Sequence, residues 1–478
     1  MEKNKIKFLF FLSIIITKPK NQNYNKIMLK LLIYSNLISL ISSGSLLDQY
    51  LTHHWTFSNG SMADAIGHVQ MQQGLKTTFS LDRFGNANSA LNLNGGWAYV
   101  PAGVYFSSPQ FTISVWVFPL NVSTWARVID FSHANNYEIV LALRNGAVNY
   151  PVFQLINSTA WQKSTYSSMQ LQPDQWQFLV ATFDGTLMNI YLNGLLASNT
   201  TFNYELPVIR RDSCYIGKSM WTGNGYSYSY LDDLKFYNKS LTQSEISAEF
   251  LQSVTCTQSP LDSDSNRYLS HYWSFSNGSM VDLIGDANMR KGPDNLAGFV
   301  RDRFGIANSA LNLNGGYTYV PPGRYFNTRE FTITAWICPL SVGFHGRFID
   351  FSNGSPYLDN LIIFLNANND LKPAGFYINS SVNILSAFST ISLIPSQWQF
   401  YAVTHDGSYF KMYQNGILTV SLAFKHNITP LIRTSNYFGS CFGSCLSKSY
   451  LDDIRFFNKS LTLNEIQCMM YQHDIGNS

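Results

Sequence analysis

Cleaving a glycosidic bond takes two carboxylates facing it, and this chain is poor in the residue that most often supplies them. Beyond its first few residues it has six glutamates, Glu138, Glu205, Glu245, Glu249, Glu330 and Glu465, and none stands in a Glu-x-Asp-x-Glu run. No nucleophile motif appears either, so no residue is assigned a catalytic role and no enzyme is expected. The aspartates are more suggestive, because several recur at matching places: Asp64 and Asp282, Asp130 and Asp350, Asp184 and Asp406, and the pairs Asp232-Asp233 and Asp452-Asp453. Counting by twos from Leu234 and Phe236, which should face a core, turns Asp232 inward and Asp233 outward. A carboxylate at the inner edge of a core needs a partner. Calcium, a hard ion that prefers several oxygen ligands, would suit Asp232 with Asp64 and Asp452 with Asp282, if the first and last strands lie side by side. The alternative is that these aspartates cap turns or accept backbone N–H groups. That is the preferred assignment for Asp184-Gly185 and Asp406-Gly407.

Aromatic residues offer a second kind of chemistry. Trp221, Tyr226 and Tyr228 lie in a Gly-rich stretch, WTGNGYSYSY. Flat rings with a polar tip suit sugar rings and interfaces alike, so these three are the candidate ligand-binding residues; the alternative is a loop packed on its own domain. Trp116, Trp176, Trp336 and Trp398 recur in pairs and are expected to pack internally. Charge points away from nucleic acid. The chain carries 32 Lys+Arg against 29 Asp+Glu over 478 residues, with no basic block to hold phosphates.

The elements that position these residues are written twice. Residues 82–106 match 302–326 at 20 of 25 positions, and WTFSNGSMADAIG from Trp55 recurs as WSFSNGSMVDLIG from Trp273. YLDDLKFYNKSLT from Tyr230 recurs as YLDDIRFFNKSLT from Tyr450. So long a period means tandem domains, not a solenoid. The expected division is a targeting segment over 1–44, a first unit over 45–252, a linker over 253–267 and a second unit over 268–478. Each unit reads as short antiparallel strands. Phe111, Ile113 and Val115 should share one face of a strand, with Thr112, Ser114 and Trp116 on the other. Asn193-Gly194 and Asn415-Gly416 supply the positive φ angles of a tight hairpin. Thr242…Glu245 and Thr462…Glu465 are capping boxes that start a short helix in each unit. The fold class is all-β: two antiparallel jelly-roll sandwiches, each with a short C-terminal helix.

The N-terminus has two short apolar runs, Phe8 to Ile16 and Leu31 to Ile41, with a second Met at Met28 and small residues at 42–45. Both runs are shorter than the ~18–20 residues a spanning helix needs. They read as a secretory signal peptide starting at Met1 or Met28, the alternative being an uncleaved signal anchor that tethers the protein to a membrane. Secretion makes the ten Asn-x-Ser/Thr sites glycosylation candidates: Asn59, Asn121, Asn157, Asn199, Asn238, Asn277, Asn353, Asn379, Asn427 and Asn458. It also makes disulfides expected. Cys214 precedes a late strand and Cys256 follows the first unit's helix; Cys441 or Cys445 and Cys468 flank the same region of the second. The expected bridges are Cys214–Cys256 and Cys445 (or Cys441) with Cys468, leaving Cys338 a buried thiol.

Taken in order and twice over, the Asp-x-x-Gly, Ala-Leu-x-Leu-x-Gly, Phe-Thr-Ile-x-x-Trp, Gln-Trp-Gln-Phe and Leu-Asp-Asp…Asn-Lys-Ser-Leu-Thr…Glu-Ile landmarks resemble the laminin G-like jelly rolls of the concanavalin A-like lectin/glucanase superfamily. The resemblance implies recognition of extracellular glycans or glycoproteins through loops at the sandwich rim, sometimes assisted by calcium. A structural surface or matrix protein that binds only protein chains is the alternative.

Overall fold

The structure of the protein is a computed structural model. It describes residues 47–120, 125–134, 136–144, 150–158, 161–203, 205–253, 267–343, 345–354, 359–368, 370–379, 382–425, 428–441 and 445–471. The targeting segment, most of the linker, Cys256, Asn121 and Asn427 lie outside them.

Among the described residues the first unit has fifteen strands. They are β1 (Leu51–Trp55), β2 (Gln72–Gln73), β3 (Thr78–Ser80), β4 (Ala90–Asn92), β5 (Ala98–Tyr99), β6 (Phe111–Pro119), β7 (Arg127–His133) and β8 (Asn136–Ala142), followed by β9 (Val152–Ser158), β10 (Trp161–Tyr166), β11 (Gln177–Phe183), β12 (Leu187–Leu192), β13 (Leu195–Thr201), β14 (Ser213–Ile216) and β15 (Ser229–Tyr237). Helix α1 (Gln243–Ser253) follows them. One sheet runs β13-β12-β11-β6-β15-β4-β3, with β1 also on β15; the other runs β10-β9-β8-β7-β14-β5-β2. All pairings are antiparallel. Between Leu269 and Phe457 the second unit repeats this order strand for strand, and α2 (Leu463–Met469) closes it. The protein is therefore two tandem β-sandwiches.

Period-two patterning builds each core. Phe111, Ile113, Val115 and Val117 of β6 enter the sandwich together with Phe131, Leu141, Phe153 and Phe236. Trp116 leaves on the opposite face, where it packs with Phe178 and with Phe250 of α1. Burying a ring like Phe250 contributes roughly 2–3 kcal/mol, so the helix is held by its apolar side. Its start is fixed as expected: Thr242 N–H donates to Glu245 Oε2 (2.9 Å) and Glu245 N–H to Thr242 Oγ1 (3.3 Å), with 2.8 and 3.3 Å at Thr462 and Glu465. The Asn193-Gly194 turn has φ of 49° and 76°, and Asn415-Gly416 52° and 71°, as the hairpin reading requires.

The two units meet through equivalent residues. Gln175 Nε2 donates to Leu418 O (2.8 Å) and Leu418 N–H to Gln175 Oε1 (2.9 Å). Across the contact, Gln397 Nε2 donates to Leu196 O (3.1 Å). Gln397 is the repeat of Gln175 and Leu418 of Leu196, so residue i of one unit meets j of the other and j meets i, the signature of a two-fold contact.

Candidate functional site

Both faces of the β6-containing sheet are occupied. The inner face is core, and the outer face carries α1 and, at the β12–β13 hairpin, the second unit. That leaves the outer face of the seven-stranded sheet. Ladder register places one row of outward residues across it: Gln72, Tyr99, Tyr215, Asp130, Val140, Gln154 and Ser164. Tyr99 and Tyr215 are half-buried, as is Trp97, whose ring meets both at 5.9 and 5.7 Å. Lys218 Nζ sits 4.5 Å over Trp97 and 4.4 Å over Tyr215.

Beside these rings the loop after β14 folds down on a buried polar cluster. Asp130 Oδ2 accepts Arg127 Nε–H (3.2 Å), Ser219 Oγ–H (3.1 Å) and Met220 N–H (3.2 Å). Asn224 Nδ2 donates to Ser219 Oγ (3.0 Å). Glu138, on the neighbouring strand, accepts the indole Nε1–H of Trp221 on Oε1 at 2.7 Å. Asp130 is 0% and Glu138 1% exposed, whereas the Trp221 ring above them is 47% exposed. Burial, and next the charge of Asp130, push the Glu138 carboxyl up to about 7. Burial raises Asp130 too, against the pull of Arg127. Trp221, Tyr226 and Tyr228, the sequence-predicted ligand residues, are all exposed. Tyr228 lies against Gly95, where a Cβ would come within 2.9 Å of its ring.

The second unit keeps the frame and changes the contents. Its row reads Arg290, Tyr319, Tyr437, Asp350, Ile362, Phe376 and Ser386. Asn360 stands where Glu138 does, and its Nδ2 donates to Asp350 Oδ1 (3.0 Å). The Trp221 loop is replaced by one closed by a Cys441–Cys445 disulfide. Phe364, Phe376 and Phe388 stack edge to face at 5.0 and 5.4 Å, with Arg347 3.9 Å over Phe364.

The candidate calcium ligands are engaged elsewhere. β1 does lie beside β15, but Asp64 and Asp232 are not brought together. Asp64 accepts from His53 (2.6 Å), His54 N–H (2.8 Å) and Ile66 N–H (3.0 Å). Burial works against its charge, yet these bonds hold it below the usual carboxylate range. Asp282 repeats this with His271 and Tyr272 N–H. Asp232 and Asp452 pair with the side chains of Arg83 and Arg303, whose other nitrogens reach Asp233 and Asp453 at 2.6 Å. The inward assignment of Asp232 fails because β15 bulges between Asp232 and Lys235, with Asp233 at φ 46°. The bulge shifts parity: Leu231, Leu234 and Phe236 face the core and Asp232 turns outward. Each carboxylate is thus satisfied by arginine, histidine or backbone donors, and among the described residues no group of three or more His, Cys, Asp or Glu is disposed to hold a metal ion. As arranged, these aspartates do not fit a calcium ion. Asp184 and Asp406 are turn residues, each Oδ1 accepting two backbone N–H groups.

The expected disulfides need correcting. Cys214 is a free thiol because β14 points it into the sandwich core, away from α1. Cys445 bonds Cys441 rather than Cys468, which is itself disulfide-bonded. Cys338 is free and buried, as expected. Asn59, Asn199, Asn238, Asn277, Asn353 and Asn458 are exposed and Asn157 is half-buried. No helix among the described residues is long and apolar enough to cross a membrane.

Sequence reasoning named Asp130 and Glu138 without pairing them. The signal it could have used is the Glu138–Asn360 exchange: strands of one pattern in both units, with a carboxylate in one and an amide in the other.

The chain belongs to the concanavalin A-like lectin/glucanases superfamily: its laminin G model matches residues 92–247 and again 312–467. Among solved structures it is similar to domain 4 of AbnA, an extracellular arabinanase of family GH43 from Geobacillus stearothermophilus, solved with arabinotriose. There the identity is 21%, over 41% of this chain and 97% of that one, with a TM-score of 0.37. It is similar also to the binding domain of botulinum neurotoxin DC, solved with SialylT, at 10% identity over 85% of this chain and 99% of that one, TM-score 0.37. The binding domain of Paraclostridial Mosquitocidal Protein 1 gives 15%, 83%, 98% and 0.37. No curated protein sequence matches the chain.

Proposed function

We propose that this protein is a secreted, non-enzymatic binding protein that captures extracellular glycans or glycoproteins on the outer face of the first unit's seven-stranded sheet. The observation that carries this is the exposed Trp221 ring, fixed through its indole N–H, on the sheet face that also carries the half-buried rings of Trp97, Tyr99 and Tyr215. Flat apolar rings bordered by hydrogen-bonding groups (Gln72, Lys218, Asn224) are what a pyranose needs: a face to stack on and polar atoms for its hydroxyls. The carboxylates beneath are buried and bonded to the Trp221 loop that covers them, not open to flank a glycosidic bond as a glycosidase pair must. Because Asp64, Asp232, Asp282 and Asp452 already have partners, capture is expected to be independent of calcium. A glycan array probed with intact protein, with calcium and with chelator, tests this. Trp221-dependent binding supports the reading, and no glycan bound in either condition overturns it.

A second reading has its own observation. The second unit's Ile362, Phe364, Phe376, Ile378 and Phe388 form a more apolar face, which favours a protein partner and a matrix or surface role. Binding to extracellular protein without any glycan requirement would favour it.

A further inference from the structure

Asp130 and Glu138 each use one carboxyl oxygen fully and leave the other bare. Asp130 Oδ2 takes three donors and Glu138 Oε1 takes the Trp221 indole, whereas Asp130 Oδ1 and Glu138 Oε2 are buried with no donor. The two side chains lie on the outer face of paired strands β7 and β8, at the positions whose counterparts in the second unit bond directly. One proton held between the bare oxygens would satisfy both. The second unit shows the same bond made permanently, since Asn360 Nδ2–H donates to Asp350 Oδ1. Both groups of the first unit also anchor the Trp221 loop, Asp130 through Ser219 and Met220, Glu138 through Trp221 itself.

We propose that Asp130 and Glu138 are positioning residues that share one proton and thereby latch the Trp221 loop over the candidate binding face, so that ligand capture is strongest at mildly acidic pH and weakens as pH rises past neutrality. This rests on the reading above for what the loop captures, but not for the latch itself. The proton leaves for solvent as pH rises, and two buried carboxylates then face each other with Arg127 as their compensating charge. Tyr215 of β14 and Lys218 of the loop after it flank the pair, Arg211 reaches the carbonyl of Tyr137 beside Glu138, and the exposed His133–Asp212 pair lies at the strand end. Burial is what brings the titration into this range, Glu138 lying near 7. A carboxyl raised on folding stabilises the folded arrangement at low pH and loses that contribution as pH passes its folded value.

The test follows Trp221 without ligand. The intact chain is labelled with 5-fluorotryptophan, its ¹⁹F resonance for residue 221 is assigned with W221F, and pH is stepped from 5 to 8.5. The resonance is expected to titrate with a midpoint near neutrality, and in E138Q to stay at its low-pH position throughout. D130N is a second route to the same result should E138Q misfold, the other Trp resonances reporting fold. A resonance that does not move in the parent, or that moves as far in E138Q and D130N as in the parent, overturns the latch. In parallel, glycan-array signal at pH 5.5 is expected to exceed that at pH 8 by roughly five- to tenfold, with the difference lost in E138Q. A titrating resonance with no glycan bound at any pH keeps the latch and overturns the glycan reading.

Discussion

The two units share one frame and present different surfaces on it. In the first, the outer face of the seven-stranded sheet holds a buried acid pair, an anchored and exposed tryptophan and a patch of half-buried rings. In the second, the acid pair is an acid and an amide, the tryptophan loop is a disulfide-closed loop, and the strands beyond carry a phenylalanine stack. The networks that hold the strands together scarcely change: Arg83 and Arg303 bridge the two Asp-Asp bulges alike. Duplication has left the architecture fixed and let the outer face diverge, which is where two copies of one fold could come to bind different things.

The largest effect expected is on what the units share. Replacing Arg83 or Arg303 by Ala strands two largely buried carboxylates and should cost about 3–5 kcal/mol in either unit, read by chemical denaturation. A loss confined to one unit would break the claim that the bulge network is common scaffold.

Much of that scaffold was legible in sequence. Alternation in FTISVW gave the inward face of β6, the Asn-Gly pairs gave the hairpins, and the Thr…Glu boxes gave the helix starts, because each of these depends on local geometry. The Asp-Asp residues were legible as needing partners, but not which partners. A single bulge reverses strand parity, and Arg83 is about 150 positions from Asp233. The disulfides failed for a similar reason. Which way Cys214 points is decided by the core and not by its neighbours in the chain. The acid pair is formed by residues on adjacent strands, each unremarkable alone, and becomes chemistry only when the sheet brings them together.

A smaller effect separates the units. E138Q should be more stable than the parent at pH 8, by about 1–3 kcal/mol, and the gap should close toward pH 5. The direction follows from the raised carboxyl, whose contribution is present at low pH and lost as pH passes about 7. Equal stabilities at both pH values would mean the first unit needs no proton where the second has an amide. Smaller still, the double substitution C441S/C445S opens a short loop and should cost about 1–2 kcal/mol, measured by thermal melting, while leaving glycan capture by the first unit unchanged. Lost capture would place the binding surface in the wrong unit.

The most direct test is glycan-array binding of the intact protein beside W221A and F376A, which remove one ring from the outer face of each unit, exposed in the first and half-buried in the second. The account predicts at least a tenfold loss for W221A and no change for F376A. Undiminished binding by W221A, or loss in F376A alone, would contradict it.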